Sequence, residues 1–365
     1  MSAGQAGEGG NIVTDEYELA PIDLVILMPV YHDWDAAGSV IEQIDSVLAD
    51  SPVRPVILLV DDGSPIPAPA KLVKKRLRQV AAIDVLRLRR NLGHQRAIAI
   101  GLTYIFEKVP CEAIIVMDAD GQDRPEDVPR LIAEFSRTGG QRFIFAQRTK
   151  RLETPVFKVC YWCYRILHRA LTGLGIRVGN FSMIPFQGLS ALVVSPELWN
   201  HYAAAVFKLR VPLRTVPASR GPRLSGRSTM NFVSLVVHGL SAISVFGEVV
   251  GTRTLVAAGG FGVLLMGSLL VVVAIRLFTN LAIPGWATYT SGLLVILFVL
   301  ILALTSSFLF FVLNNRNMAS FVPLRDYSLY IADVKKAYAA DERRQRLGQQ
   351  SNLDSETSSG NKQLD

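Results

Sequence analysis

The chain has 365 residues and a formal net charge of +7, with half its residues hydrophobic and 19% charged. That length holds about two domains, and the apolar content excludes wholesale disorder. Two long uncharged stretches near the C-terminal end exclude a purely soluble globular protein. Three scattered cysteines exclude a disulfide-stapled secreted domain.

Residues 1–20 read as a loose polar tail. They lack a basic n-region and an apolar h-region, so no cleavable signal peptide is expected and the N-terminal part is expected in the cytoplasm. From Leu24 onward short apolar runs alternate with helix-period segments. Residues 24–28, 56–60, 85–88, 113–117 and 143–146 read as buried strands, and segments near 36–49, 69–80, 94–107 and 126–137 as helices. Strands alternating with helices predict βαβ units and a mainly parallel sheet, with ligands at the C-terminal strand ends.

After residue 147 the alternation weakens and the charge changes. Segments 148–177 and 208–227 each carry a net +6, more together than the whole chain's +7, so the remainder is net acidic. Something anionic is expected beside this local basic charge, against the plainer reading of a solvated surface. Residues 228–248 are apolar but interrupted by Ser, His and Gly, which predicts a helix in the membrane interface. Residues 254–275 and 289–313 contain no charge. At about 1.5 Å per residue the shorter run reaches roughly 33 Å, enough for a bilayer core of about 30 Å. Arg220, Arg223, Arg227 and Arg253 precede the first span, and Arg316, Arg325, Lys335 and Lys336 follow the second. The positive-inside bias therefore predicts an inner-membrane protein with two spans and both termini cytoplasmic. The predicted domains are a tail over 1–20, an α/β domain over 21–227, an interfacial helix over 228–250, a two-helix membrane unit over 251–315, and a cytoplasmic segment over 316–365, disordered from about 340.

The richest motif is VMDADGQDRPED at 116–127. Asp118 and Asp120 leave an apolar strand at i and i+2, and Gln122 adds a carboxamide oxygen. Hard oxygen ligands in this pattern suit Mg²⁺ or Mn²⁺ bridging phosphate oxygens. The competing reading, a helix N-cap, concerns Asp123–Asp127 and is compatible with it. VDDGS at 60–64 places Asp61 and Asp62 at a strand end, where an acid can bond a nucleotide or merely close a turn. PVYHD at 29–33 offers the Tyr31 ring and the Asp33 acceptor. In RNLGHQRA at 90–97, Gly93 permits close backbone approach to a helix start that favours phosphate, with Arg96 beside it.

In order and spacing these four motifs resemble family-2 glycosyltransferases of the GT-A fold, in particular the polyprenyl-phosphate glycosyltransferases, over roughly residues 22–320. The resemblance implies a Rossmann-like mixed sheet followed by the interfacial helix and two spans. It implies a donor site at Pro29, Tyr31, Asp33, Asp61, Asp62, Asn91, Gly93 and Asp118, and a Mg²⁺ or Mn²⁺ site at Asp118, Asp120 and Gln122. It implies Arg148 at the acceptor phosphate, with Lys158 or Arg165 as a second cation. The implied reaction is inverting transfer from a nucleoside-diphosphate sugar to a polyprenyl phosphate in the bilayer. Transfer to a lipid hydroxyl, with Glu197 as base, and a non-catalytic membrane scaffold are the alternatives. A homo-oligomer is left open.

The chain departs from the resemblance at two places. Asn180 and Ser182 stand where many relatives carry Asp and Arg, which puts any base at position 180 in doubt. Gly121 stands where Leu is commoner, a change expected to be neutral. Cys160 and Cys163 have redox spacing but sit in a predicted helix and read as packing thiols. No His pair has zinc-ligand spacing. The basic segments adjoin the spans and carry no nucleic-acid motif, so lipid phosphate explains them better than nucleic acid.

Overall fold

The computed structural model describes residues 23–148, 155–175, 178–224, 232–279, 285–316 and 321–340. Its centre is β1 (Leu24–Val30), seven buried residues whose alternate side chains feed two cores. Leu24, Ile26, Met28 and Val30 pack with α1 (Trp34–Val47) and α3 (Val128–Arg137). Val25 and Leu27 pack with α2 (His94–Lys108), α5 (Phe186–Val193) and α6 (Tyr202–Lys208).

β1 lies between β2 (Val56–Asp61) and β4 (Ala113–Val116) and is parallel to both; β3 (Ala82–Leu88) adds parallel beyond β2. The sheet continues past β4 with β6 (Val178–Pro185), β5 (Phe143–Arg148) and β7 (Leu213–Ala218), and ends on the other side with β8 (Ile331–Ala339). β6 runs antiparallel to β4 and β8 antiparallel to β3. This is the mixed α/β sheet expected. Strand order reverses at β1, with β2 and β3 to one side and β4 to the other, and a crevice opens there at the C-terminal strand ends.

Two elements differ from the sequence reading. The helix expected near 69–80 does not form; residues 62–81 run as irregular chain. Pro65, Pro67 and Pro69 lack N–H groups, and the N–H groups that follow are taken by carboxylates of α1. Glu42 accepts from Lys74 and Lys75, and Asp45 from Arg78, Gln79 and Val80, at 2.5–3.2 Å. Acceptors from another element replace the helix's own. Asp45→Ala is expected to cost about 2 kcal/mol, because three backbone donors lose a charged acceptor. Thermal unfolding would show a drop of several degrees; an unchanged midpoint would mean that water replaces Asp45 fully.

The sheet is also not confined to 21–227, because β8 lies after both apolar helices in the chain. The tail expected at 1–20 and the disorder expected from about 340 fall outside the described residues.

α4 (Pro155–Thr172) connects the sheet domain to the helices that follow. α7 (Phe232–Ser244) covers the expected interfacial segment, and α8 (Gly247–Phe278) and α9 (Trp286–Arg316) contain the two charge-free runs. α8 and α9 are long and apolar enough to cross a membrane, and little of α8 and none of the α9 window is covered by protein. Arg253 of α8 donates to the carbonyls of Arg169 and Ala170 at the C-terminal end of α4, where a cation complements the helix dipole. Ala242, Val245 and Phe246 pack on Ala204 of α6. The apolar pair is thus docked on the sheet domain and does not hang from a free tether.

Candidate active site

The crevice collects the motif residues. Val116 ends β4, and Asp118 and Asp120 follow at its mouth. The loop turns on Gly121 at φ +83°, and the Gln122 backbone N–H donates to Asp120 Oδ1 at 2.9 Å. Burial and the neighbouring Asp118 charge push the Asp120 carboxyl above its ordinary range, while the Gln122 N–H, Arg223 and Arg220 oppose the shift. Asp123 accepts from the Asp118 N–H at 3.0 Å and so shapes this loop and does not cap α3.

Just past β1, Tyr31 is 41% exposed, and its ring forms a T-shaped pair with His32. Asp33 projects from the next turn. Pro29 sits within β1, paired with Val60. From β2, Asp61 and Asp62 are both buried, and each is committed to the protein. Asp61 accepts from the Ser64 N–H at 2.8 Å. Asp62 accepts from the N–H groups of Leu92 and Gly93 at 2.7 and 2.9 Å. Burial raises the Asp62 carboxyl, and those two N–H bonds and His94 hold it back. Asp62 therefore fixes the RNLG loop in front of α2. Gly93, at φ +92°, caps that helix; a side chain there would meet nothing within 4 Å. The backbone conformation requires the glycine, and the space before it is open. Asn91 is exposed in the same loop.

His94, which the motif reading did not assign, lies inside the site. Its Nε2 is 3.1 Å from Asp118 Oδ1 and 2.9 Å from Asn180 Nδ2. Crowding works against a charged ring, but the carboxylates of Asp118, Asp123 and Asp120 outweigh it and raise the His94 pKa. Asn180 is held in turn by Gln95, whose Oε1 accepts from the Tyr202 N–H at 2.8 Å. Position 180 therefore positions a ring in this chain and carries no base. Ser182 is buried against the Tyr202 hydroxyl at 2.7 Å and is structural.

A strap of residues 219–224 leaves β7 and lies on the Asp118–Gln122 loop. The Gly221 N–H donates to Gln122 O and the Leu224 N–H to Asp120 O, at 2.9 and 3.0 Å, and Arg220 bridges to Asp123. The Arg220 guanidinium bonds Gln122 Oε1. Arg223 bonds Asp33 Oδ2 at 2.5 Å and reaches Asp120 Oδ2 at 3.6 Å. Neither arginine was singled out as a site residue in the sequence. The clue was present: two Arg in the net +6 segment that closes on the sheet.

The structure also corrects several expectations. The Gln122 carboxamide oxygen meets Arg220, and Asp120 Oδ2 lies 3.6 Å from Arg223, so two members of the expected three-ligand metal set face arginines of the strap. Among the described residues no three His, Cys, Asp or Glu side chains gather at metal-binding distance. Gly121 is not neutral, because a Cβ there would lie 2.5 Å from the Leu224 side chain. Arg96 stands 5.1 Å over the Trp199 ring, committed to that contact. Glu197 is bound by Lys208 Nζ at 2.5 Å and Ser195 Oγ at 2.6 Å. Burial lifts its carboxyl, but Lys208 and Ser195 outweigh this and hold it below the ordinary range. Arg148 ends β5 in register with Ala218, at the root of the strap. Arg165 is exposed on α4. Lys158 lies on α4 too. The side chains of Arg148 and Lys158 fall outside the described residues.

Residues 25–192 match the model of glycosyl transferase family 2. An uncharacterized glycosyltransferase, YkcC of Bacillus subtilis, is 26% identical over 73% of this chain and 81% of its own length. Dodecaprenyl-phosphate galacturonate synthase of Rhizobium johnstonii is 26% identical over 42% of this chain and 44% of its own. Undecaprenyl-phosphate 4-deoxy-4-formamido-L-arabinose transferase of Klebsiella pneumoniae is 32% identical over 30% of this chain and 32% of its own. This chain thus spans less than half the length of either polyprenyl-phosphate enzyme. Among solved structures, glucosyl-3-phosphoglycerate synthase from Mycobacterium tuberculosis, in complex with Mn²⁺, UDP-glucose and phosphoglyceric acid, is 16% identical. It covers 63% of this chain and 80% of that one, with a TM-score of 0.45. The motif residues that the strand ends gather at one crevice thus lie within the segment, residues 25–192, that is similar to glycosyl transferase family 2.

Proposed function

We propose that the chain transfers a sugar, with inversion, from a nucleoside-diphosphate sugar to the phosphate of a polyprenyl lipid, on the cytoplasmic face of a membrane. One observation carries this reading. The crevice that gathers Asp33, Asp118, Asp120, His94 and two arginines belongs to a domain docked, through Arg253, on two bilayer-length apolar helices.

The pair Asp118 and Asp120 fits Mg²⁺ or Mn²⁺ of the kind that binds through one or two carboxylates plus substrate phosphates. When bound, such an ion neutralises charge developing on the leaving diphosphate. Gly93 and the α2 N-terminus leave room and partial positive charge for that diphosphate. Tyr31 offers its exposed ring to the donor's flat or apolar parts. A lipid phosphate is largely ionised near pH 7, since its second pKa is about 6, so attack at the anomeric carbon needs no general base. Arg148 and Arg165, or Lys158, then orient the acceptor oxygen.

A hydroxyl acceptor would need a base, and Glu197 is held by Lys208 and Ser195 in a way that suits a structural carboxylate. Glu197→Gln is expected to leave the transfer rate within about threefold and its pH profile unmoved, with lower stability. The lowered pKa means that this stability is present at neutral pH and is lost as pH falls through the carboxylate range. A hundredfold fall in rate would instead move the acceptor to a hydroxyl.

The direct test supplies labelled UDP- and GDP-sugars and undecaprenyl phosphate to detergent-purified protein, with and without EDTA. Label in the lipid phase that EDTA abolishes is the expected result. Nucleotide binding without transfer from any donor would favour the non-catalytic scaffold.

A further inference from the structure

The strap puts cations where the donor site needs anions compensated. Asp33 and Asp120 leave different strands and meet one guanidinium, although 190 residues separate Asp33 from Arg223. All three side chains are partly buried, at 22%, 27% and 17% exposure for Arg223, Asp33 and Asp120, where carboxylates without a counter-charge are costly. The seat of the strap is shaped for this contact. Its backbone bonds Gln122 O and Asp120 O, and Leu224 fills the space above Gly121. A guanidinium fork suits carboxylate and phosphate equally well.

We propose that Arg223 is a resident counter-ion of the donor site. It holds Asp33 and Asp120 before the donor arrives, then releases Asp120 to a divalent cation and moves onto the donor's diphosphate. Charge is compensated in part in both states. Before loading, the guanidinium offsets one of the two carboxylate charges it meets; after loading, a divalent cation would offset Asp118 and Asp120, and Arg223 one of the two charges on the diphosphate. The inference rests on the nucleoside-diphosphate-sugar reading for its second half only. The first half concerns the protein's own groups.

The two halves predict changes of opposite sign in one variant. The full chain in detergent is titrated with Mn²⁺ alone, read by the free-ion electron paramagnetic resonance signal, and with UDP and GDP in Mg²⁺, read by calorimetry. Arg223→Gln is expected to bind Mn²⁺ about tenfold more tightly and the diphosphate about tenfold more weakly, the size of one charge-assisted hydrogen bond. Arg223→Lys is expected to shift both in the same directions by less, and it decides the matter if the Gln variant does not fold. Unchanged or weaker Mn²⁺ binding overturns the counter-ion; unchanged diphosphate binding overturns the exchange. If wild-type protein binds neither nucleotide, the donor reading and the exchange fail, while the Mn²⁺ titration still decides whether Arg223 competes for the carboxylates.

Discussion

Asp120→Asn is expected to reduce transfer about 10³-fold, equivalent to about 4 kcal/mol in the barrier. The substitution keeps the size of the side chain and its place on the loop, and removes the charge. Asp120 Oδ1 now accepts from the Gln122 N–H, and its other oxygen lies near Arg223. With a neutral amide there, Asp118 is left as the sole carboxylate from this loop facing a divalent cation, and Arg223 keeps Asp33 alone. The measurement is the initial rate of label transfer at saturating donor, beside a thermal midpoint to confirm folding. The midpoint should hold or rise, because Asp120 is a partly buried carboxylate whose pKa is raised in the fold and whose ionised form therefore costs stability at neutral pH. More than a tenth of the wild-type rate would remove Asp120 from the chemistry.

The second large effect is expected from Gly121→Leu. This substitution installs the residue that the family resemblance leads one to expect, and by that resemblance alone it should be harmless. The backbone at 121 has φ +83°, which costs a branched side chain roughly 1–2 kcal/mol. The new Cβ would also lie 2.5–2.7 Å from side-chain carbons of Leu224, so the side chain that seats the strap must shift. A strap displaced with it would withdraw Arg220 and Arg223 together. Binding of UDP or GDP in Mg²⁺ should weaken at least tenfold, and a paired Leu224→Ala should recover part of the loss. Full binding by the single variant would mean that the strap is not needed to deliver either arginine. Recovery in the pair, with the cost at φ +83° still present, would separate the steric term from the backbone term.

What could be read in advance follows from how local each signal is. β1, β2 and β4 are continuous apolar runs, and their burial on both faces is what such runs encode. Asp118, Asp120 and Asp33 stand at strand ends for the same reason. The irregular chain at 62–81 was misread because its N–H groups are satisfied by Glu42 and Asp45, some thirty residues away. Those acceptors leave no trace in the segment's own periodicity. β8 carries two lysines and little alternation, as an edge strand does, and its partner β3 lies some 250 residues earlier. Arg223 and His94 were missed for a related reason. Charge composition marks a basic segment, but only the fold shows which of its arginines meets which carboxylate. It also shows that Asn180 turns toward an imidazole.

The return of the chain to β3 sets a rule of parity. One sheet cannot lie in two compartments, so the polypeptide that leaves after β7 and comes back as β8 must cross a bilayer an even number of times. α8 and α9 satisfy this as a pair, and loss of either apolar run would strand β8 on the wrong side. If the pair spans a membrane, Phe278 and Trp286, at its far ends, share the face opposite the sheet domain. A single reporter fused near either one would therefore fix the orientation of the whole chain.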